Sequence, residues 1–371
     1  MHLFVVLTSS CNLKCLYCYG KCCDDIGSSF DFEVDYSIPD EISYDIDVLK
    51  SFCSKAKLGN LIFYGGEPLL KMDKMMKIME KVDAEKFMLQ TNGLLLSRLD
   101  PAYLKRLHTI LVSIDGDEAL TDFYRGNGVY RRVIENIKSI REKGFKGEIV
   151  ARMTISQQSD LERNVNHLLS LNNLFDSIHW QIDAQFWQND FNQKAFTEWV
   201  EESYGPGLLH LIYKWAEQIL KGKVLRIYPF LGVMETLLHG GEAGLRCGSG
   251  WSQYTVQTDG TIVPCPSMVG LKAYYLGNIK STDPSTLPKK VELKAPCSSC
   301  DILPICGGRC LYANITKLWG EEGFRLVCST VRLLVEGLKC VKPIVEKALK
   351  NKLIHPEDLA YTKFNSCEII P

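Results

Sequence analysis

The sequence predicts an α/β protein assembled from parallel β/α units. Short apolar runs rich in β-branched residues alternate with stretches of helical periodicity, and the connections between them are short. The candidate polar residues also fall at the C-terminal ends of the apolar runs, where parallel folds place their sites. Six strands separated by five helices cannot close an eight-stranded barrel, so the expected form is an open partial (β/α)6 barrel with a lateral mouth.

The elements follow in order. The run 2–8 is almost wholly apolar and reads as a buried strand, ended by Ser9 and Ser10. A helix over 41–57 leads to a strand at 61–64, which runs into Gly65-Gly66-Glu67-Pro68. Helix 71–81 precedes strand 86–90 and Thr91-Asn92-Gly93; helix 101–107 precedes strand 109–116, which carries Ser113 and Asp115. Helix 129–143 precedes strand 148–155 with Arg152, and helix 161–171 precedes strand 178–182. Residues 184–240 are less regular. Trp187, Phe191 and Phe196 lead to an amphipathic helix at 206–220, read as a bridge with a core-facing stripe. Asp259-Gly260 between 254–257 and 262–263 signals a β-hairpin. A helix over 329–350, kinked at Pro343, and a tail of mixed character complete the chain.

The 371 residues carry a formal net charge of −1, so no global field points to nucleic acid or an anionic membrane as partner. No apolar run is long enough to span a bilayer, and the first strand starts where a targeting segment would stand. A cytoplasmic location is therefore expected. Fifteen cysteines, an odd number gathered in two groups, favour metal or cluster ligation over disulfides. Cys53 and Cys340 fall in helical stretches and read as plain core residues. Residues 24–49 hold nine acidic residues and neither Lys nor Arg. A solvated loop ahead of a helix N-terminus explains that run, with a docking face for a basic peptide as the sharper alternative.

The first cysteine group is Cys11-Asn-Leu-Lys-Cys15-Leu-Tyr17-Cys18, on the loop after the first strand. Structural zinc usually takes four ligands as two spaced pairs, and this loop offers three. Three thiolates hold three irons of a 4Fe–4S cube and leave the fourth iron for a substrate or cofactor. With Tyr17 just before the last cysteine, the spacing resembles the signature of the radical S-adenosylmethionine superfamily. The resemblance implies that Cys11, Cys15 and Cys18 hold the radical-generating cluster. It implies that Gly65, Gly66, Glu67 and Pro68 meet the amino group of S-adenosylmethionine, a carboxylate and backbone carbonyls suiting an ammonium ion. Asn92 lies at a further strand end, Ser113 and Asp115 resemble the ribose-contacting strand end, and Arg125 is similar to a family arginine near the cofactor. Arg152 is a candidate for the cofactor carboxylate.

The second group comprises Cys247, Cys265, Cys297, Cys300, Cys306, Cys310 and Cys328. Zinc ribbons are the plain alternative. The spacing resembles the seven-cysteine SPASM extension, which implies two auxiliary 4Fe–4S clusters and three in all. By the resemblance, Cys297, Cys300, Cys306 and Cys328 hold one, and Cys247, Cys265 and Cys310 the other. Sulfatase-maturing relatives have a further cysteine where this chain has Gln253. An open iron follows, or a fourth ligand from Cys22, Cys23, Cys367 or solvent. Those relatives also place an Asp base where Pro266 stands here, and proline cannot act as a base.

The expected organisation is a partial barrel at 1–190, a helical bridge at 191–242, a SPASM domain at 243–330 and a C-terminal helix and tail at 331–371. The resemblance implies reductive cleavage of S-adenosylmethionine, hydrogen abstraction by the resulting 5′-deoxyadenosyl radical, and crosslinking of a ribosomally made precursor peptide, the specific expectation being a thioether. An external electron donor of flavodoxin or ferredoxin type and an anaerobic setting accompany that chemistry. No leader-binding module is evident, so a separate leader-binding protein or the acidic segment is expected to serve. The alternatives are a sulfatase-type maturase, a small-molecule radical enzyme and, outside catalysis, an iron–sulfur electron carrier.

Overall fold

Consecutive apolar side chains leave His2–Val6 without a polar face, and the segment forms a strand, β1, buried along nearly all its length. The computed structural model describes residues 1–18, 33–171, 173–183, 191–241 and 244–371. After β1 come α1 (Ile46–Ser54), β2 (Asn60–Tyr64), α2 (Met72–Lys81), β3 (Lys86–Thr91), α3 (Pro101–Leu104) and β4 (Leu107–Ser113). Then follow α4 (Glu118–Arg125), α5 (Val129–Glu142), β5 (Glu148–Ile155), α6 (Leu161–Ser170) and β6 (Ser177–Ile182). The alternation expected from the sequence is present; α4 was not anticipated.

Two compact units interleave along the chain: Met1–Ile114, Thr121–Val150 and Gly248–Val291 form the first, and Asp115–Leu120, Ala151–Cys247 and Glu292–Pro371 the second. In the first unit β4, β3, β2 and β1 lie side by side and parallel, as successive β/α units do. The hairpin of β7 (Gln253–Val256) and β8 (Thr261–Val263), with β9 (Gly277–Asn278) beyond it, extends this sheet. β7 pairs in parallel with β1, so the hairpin grouped by sequence with the second cysteines covers what would otherwise be an edge strand. Phe4, Ile62 and Met88 from neighbouring strands form one buried cluster, with the Tyr64 ring edge-on to Phe4 at 5.4 Å. Each such side chain contributes roughly 1.5–3 kcal/mol by leaving water.

The acidic run is largely spent locally. Asp24, Asp25 and Asp31 lie outside the described residues. Glu33 pairs with Lys272, Glu41 with Lys71 and Asp47 with Lys81, while Asp45 caps α1 by accepting the Asp47 N–H. These pairings favour the structural reading over a docking face.

In the second unit β5 and β6 are neighbours. The helices are α7 (Gln193–Trp199), α8 (Gly205–Leu220), α9 (Tyr228–His239), α10 (Leu303–Cys306), α11 (Leu311–Thr316) and α12 (Gly320–Lys350). Trp180 and Trp215 both meet the Phe230 ring edge-on, at 5.7 and 5.8 Å. α12 crosses α8 closely: a Cβ on Gly337 would stand 2.7 Å from Ile212 Cδ1. This helix starts nearer Cys310 than the expected 329, so Cys328 lies on it, and it continues through Pro343. Cys53 is buried as expected, but Cys340 is exposed, on the outer face of α12. Trp187 lies outside the described residues. The tail is a core element: Asn365, Cys367 and Ile370 are buried.

Candidate active site and a second cysteine group

The loop carrying Cys11, Cys15 and Cys18 leaves β1 beside the end of β2, and the glycine pair makes that approach possible. A Cβ on Gly65 would lie 2.3 Å from Thr8 O, and one on Gly66 2.3 Å from Ser9 O. The Gly66 and Glu67 amides donate to Thr8 O at 2.8 Å and Ser10 O at 2.9 Å. The glycines thus serve contact with the chain's own cysteine loop.

Glu67 is fully buried, and its carboxylate is already engaged. One oxygen accepts the Leu69 amide at 2.9 Å and the Thr91 hydroxyl at 2.8 Å; the other accepts the Asn92 amide at 2.7 Å. Burial pushes the carboxyl above its usual range, and the three hydrogen bonds pull back towards the charged form. The expectation of a carboxylate facing an ammonium is corrected in this respect: Glu67 ties the end of β2 to the end of β3.

Asn92 completes the brace. Its side-chain amide donates to Asn12 Oδ1 at 2.7 Å and reaches Cys11 Sγ at 3.8 Å, while its carbonyl accepts the Leu94 amide at 3.0 Å. Cys11 is exposed, and Cys15 and Cys18 are half-buried. Arg125, itself buried, lies over the Tyr17 ring at 5.4 Å, and Tyr124 packs on that ring at 5.0 Å. Tyr124 O also accepts the Leu16 amide at 2.9 Å. The arginine singled out by sequence therefore meets the aromatic residue of the cysteine motif. Thr91 and Tyr124 were missed, since neither carries a signal beyond its neighbourhood.

Ser113 ends β4, half-buried. In the second unit Asp115 is buried and accepts the Thr154 amide at 2.9 Å, joining a strand end to its neighbour. Arg152 on β5 faces the tail: its guanidinium reaches Ser366 O at 3.2 Å, Cys367 Sγ at 3.5 Å and Gln181 Oε1 at 3.3 Å. His179 closes the group, 3.4 Å from Arg152 and 3.2 Å from Ile369 O. The tail thus occupies the guanidinium expected to meet a cofactor carboxylate, a contact that a tail without any periodic pattern does not announce.

The second cysteine group is more enclosed. Cys247, Cys265, Cys297 and Cys310 are buried; Cys300, Cys306 and Cys328 are half-buried. Cys265 precedes a short turn, Pro266–Met268, in which Pro266 holds the first position that proline suits. Within the second unit, Asn314 on α11 donates to Cys297 Sγ at 3.1 Å and to Gly308 O at 3.3 Å. Arg332 on α12 grips Asp301 at 2.6 and 2.9 Å and reaches Cys300 Sγ at 3.9 Å. Its hydrogen bonds hold the Asp301 carboxyl down at about 2. The Cys328 thiol is pushed up to about 11, chiefly by burial, with Arg309 opposing the rise and the neighbouring Cys306, Cys297 and Cys300 adding to it. Among the described residues no three His, Cys, Asp or Glu side chains converge on a single-ion site. Gln253 is buried within β7, and Cys22 and Cys23 lie outside the described residues.

A parallel α/β unit with a three-cysteine loop at the strand ends defines a class. Residues 5–163, the stretch that holds the three-cysteine loop, match the Radical SAM superfamily model. Such a domain implies a 4Fe–4S cluster and S-adenosylmethionine. Over 368 residues, 89% of this chain and 93% of the relative, it is 23% identical to the cysteine-type anaerobic sulfatase-maturating enzyme of Clostridium perfringens. The solved structure of native anSMEcpe with bound AdoMet superposes with a TM-score of 0.69 at 20% identity, covering 94% of this chain and 99% of that one. Streptococcus suis SuiB bound to its precursor peptide SuiA gives a TM-score of 0.50 at 16% identity, covering 84% and 72%. These likenesses support the fold. Among the described residues no helix is long and apolar enough to cross a membrane.

Proposed function

We propose that the chain is a maturase that modifies a peptide or protein side chain. The observation that carries this reading is the cysteine loop braced by Glu67, Thr91 and Asn92. Its three thiols suit three irons of a 4Fe–4S cluster, and the chain supplies no fourth cysteine from Gly65–Pro68 or Asn92. Cys11, Cys15 and Cys18 would hold the cluster, and the backbone carbonyls of the Gly65–Pro68 turn would orient the cofactor's amino group. When bound, cluster and S-adenosylmethionine supply a carbon radical that abstracts hydrogen from an unactivated position. The chain's own contribution is placement: Arg125 holds the Tyr17 ring, and Asn92 orients the Asn12 and Cys11 turn. Ser113 and Asp115 are proposed for the ribose.

Cys297, Cys300, Cys306 and Cys328 would hold one auxiliary cluster, and Cys247, Cys265 and Cys310 a second, in a SPASM-type region. The full-length likeness to the sulfatase-maturating enzyme, and the precursor peptide bound by SuiB, support a peptide substrate. Pro266 and Gln253 favour chemistry other than cysteine-to-formylglycine oxidation, and the specific reading is a thioether crosslink, with sulfatase-type maturation as its competitor. An external flavodoxin- or ferredoxin-type donor, a separate leader-binding protein and a cytoplasmic setting complete the proposal.

Mass spectrometry of a candidate precursor co-expressed with this chain is the test. A loss of two hydrogens with one cysteine no longer alkylatable supports the thioether. Loss of the cysteine sulfur points to formylglycine, and an unmodified peptide despite 5′-deoxyadenosine release counts against that substrate. Anaerobic protein with about twelve irons per chain fits three clusters; zinc without sulfide overturns them.

A further inference from the structure

Arg309 stands in the turn Cys306-Gly307-Gly308-Arg309-Cys310, among residues that the proposed function makes ligands. Its side chain is buried. Its backbone is left-handed, with φ 58°, a conformation that residues bearing a Cβ seldom adopt, and Gly307 and Gly308 before it have φ 69° and 88°. Three such residues in succession fold the turn tightly enough to bring Cys306 O within 3.5 Å of the Arg309 amide. The turn is also fixed from outside. Asn314 bridges Gly308 O and Cys297 Sγ, and a Cβ on Gly308 would lie 2.1 Å from Leu293 Cδ1.

A buried guanidinium costs several kcal/mol unless negative charge surrounds it. Burial, the largest influence, lowers its pKa; opposing that, in order, are Cys310, Cys328, Cys306 and Tyr204. Tyr204 is itself buried and accepts the Trp180 indole N–H at 3.4 Å. Thiols of the second cysteine group and the buried Tyr204 phenol are thus among the groups that act on this cation, with Cys310 directly following it in the chain.

We infer that Arg309 is a positioning residue whose fixed positive charge stabilises the reduced state of the iron–sulfur group proposed on Cys297, Cys300, Cys306 and Cys328, raising its reduction potential. One electron enters on reduction, no bond to the chain forms or breaks, and the added negative charge meets the guanidinium in a low-dielectric setting. A higher potential makes that group a better acceptor for an electron leaving a substrate. The inference rests on the proposed auxiliary clusters, and its test separates the two.

The test is an EPR-monitored redox titration of anaerobic full-length protein in which Cys11, Cys15 and Cys18 are replaced by Ala, so that only the second group contributes. Arg309→Gln and Arg309→Lys are compared with that parent, with iron and sulfide measured on each. The expected result is that Arg309→Gln makes the one-electron reduction at least tenfold less favourable, a potential lower by about 59 mV or more. Arg309→Lys stays within tenfold of the parent. An Arg309→Gln protein with full iron and an unchanged potential overturns the inference, as does a Lys variant shifted as far as the Gln variant. Should Arg309→Gln lose its iron, Arg309→Lys decides: iron retained near the parent potential supports a role for charge, and iron lost there too overturns it. A parent without iron or sulfide instead overturns the auxiliary clusters themselves.

Discussion

The two cysteine groups are held in different ways. Around Cys11, Cys15 and Cys18 the restraints act mostly through backbone: the glycine pair admits the loop, and Glu67 joins two strand ends behind it. The thiols themselves stay exposed or half-buried. In the second unit, Cys297 and Cys300 are met by the side chains of Asn314 and Arg332, with Arg309 buried nearby. A site that must admit a small cofactor is shaped by the strands under it and left open. The electron-carrying role proposed for the second group calls instead for enclosure, with ligands fixed by side chains.

The largest expected effect breaks the comparison at its first term. Cys11→Ala abolishes reductive formation of 5′-deoxyadenosine and removes about four irons, whereas Cys297→Ala leaves 5′-deoxyadenosine formation and loses iron elsewhere. Iron analysis beside product chromatography reads both. If Cys297→Ala abolishes 5′-deoxyadenosine as completely as Cys11→Ala, the division of labour is wrong. Next comes Glu67→Gln, which sets an amide N–H against backbone donors. It costs about 3 kcal/mol, as for a hydrogen-bonded buried charge left mismatched, and weakens S-adenosylmethionine binding. Urea unfolding and isothermal titration measure the two; a stability within error of the parent contradicts the brace. Asn314→Leu removes two hydrogen bonds in the enclosed group, costing about 1–3 kcal/mol. It speeds iron loss to a chelator without altering 5′-deoxyadenosine formation.

The smallest effect concerns the buried tail of the second unit. Burial lifts the Glu368 carboxyl to about 7, against the pull of backbone hydrogen bonds from the tail and of Arg246. A carboxyl raised above its unfolded value of 4.5 contributes stability that is full below that pH and is lost as pH rises through 7. Glu368→Gln should flatten the fall in urea midpoint between pH 5 and pH 8. An identical slope in parent and variant would assign it to another group.

Much of the candidate site was legible because it is written in residue types with narrow uses. Cysteine spacing, a Gly-Gly-Glu-Pro run after a strand, and β/α alternation each follow from local chemistry. What escaped was non-local. That Glu67 points inward depends on where β3 ends, and that β7 joins β1 depends on a pairing across most of the chain. Arg152 reads as a free cation until the tail is seen against it, and Cys340 reads as core because the helical stripe alone does not say which face is covered.

The central claim is that the first three thiols leave one iron available to S-adenosylmethionine. Its most direct measurement is the EPR spectrum of the anaerobically reduced protein, with Cys297, Cys300, Cys306 and Cys328 replaced by Ala, before and after adding S-adenosylmethionine. A changed signal, lost in the further variant Cys15→Ala, is the predicted result. A cluster signal present but indifferent to S-adenosylmethionine, with every iron ligated by the chain, would contradict it.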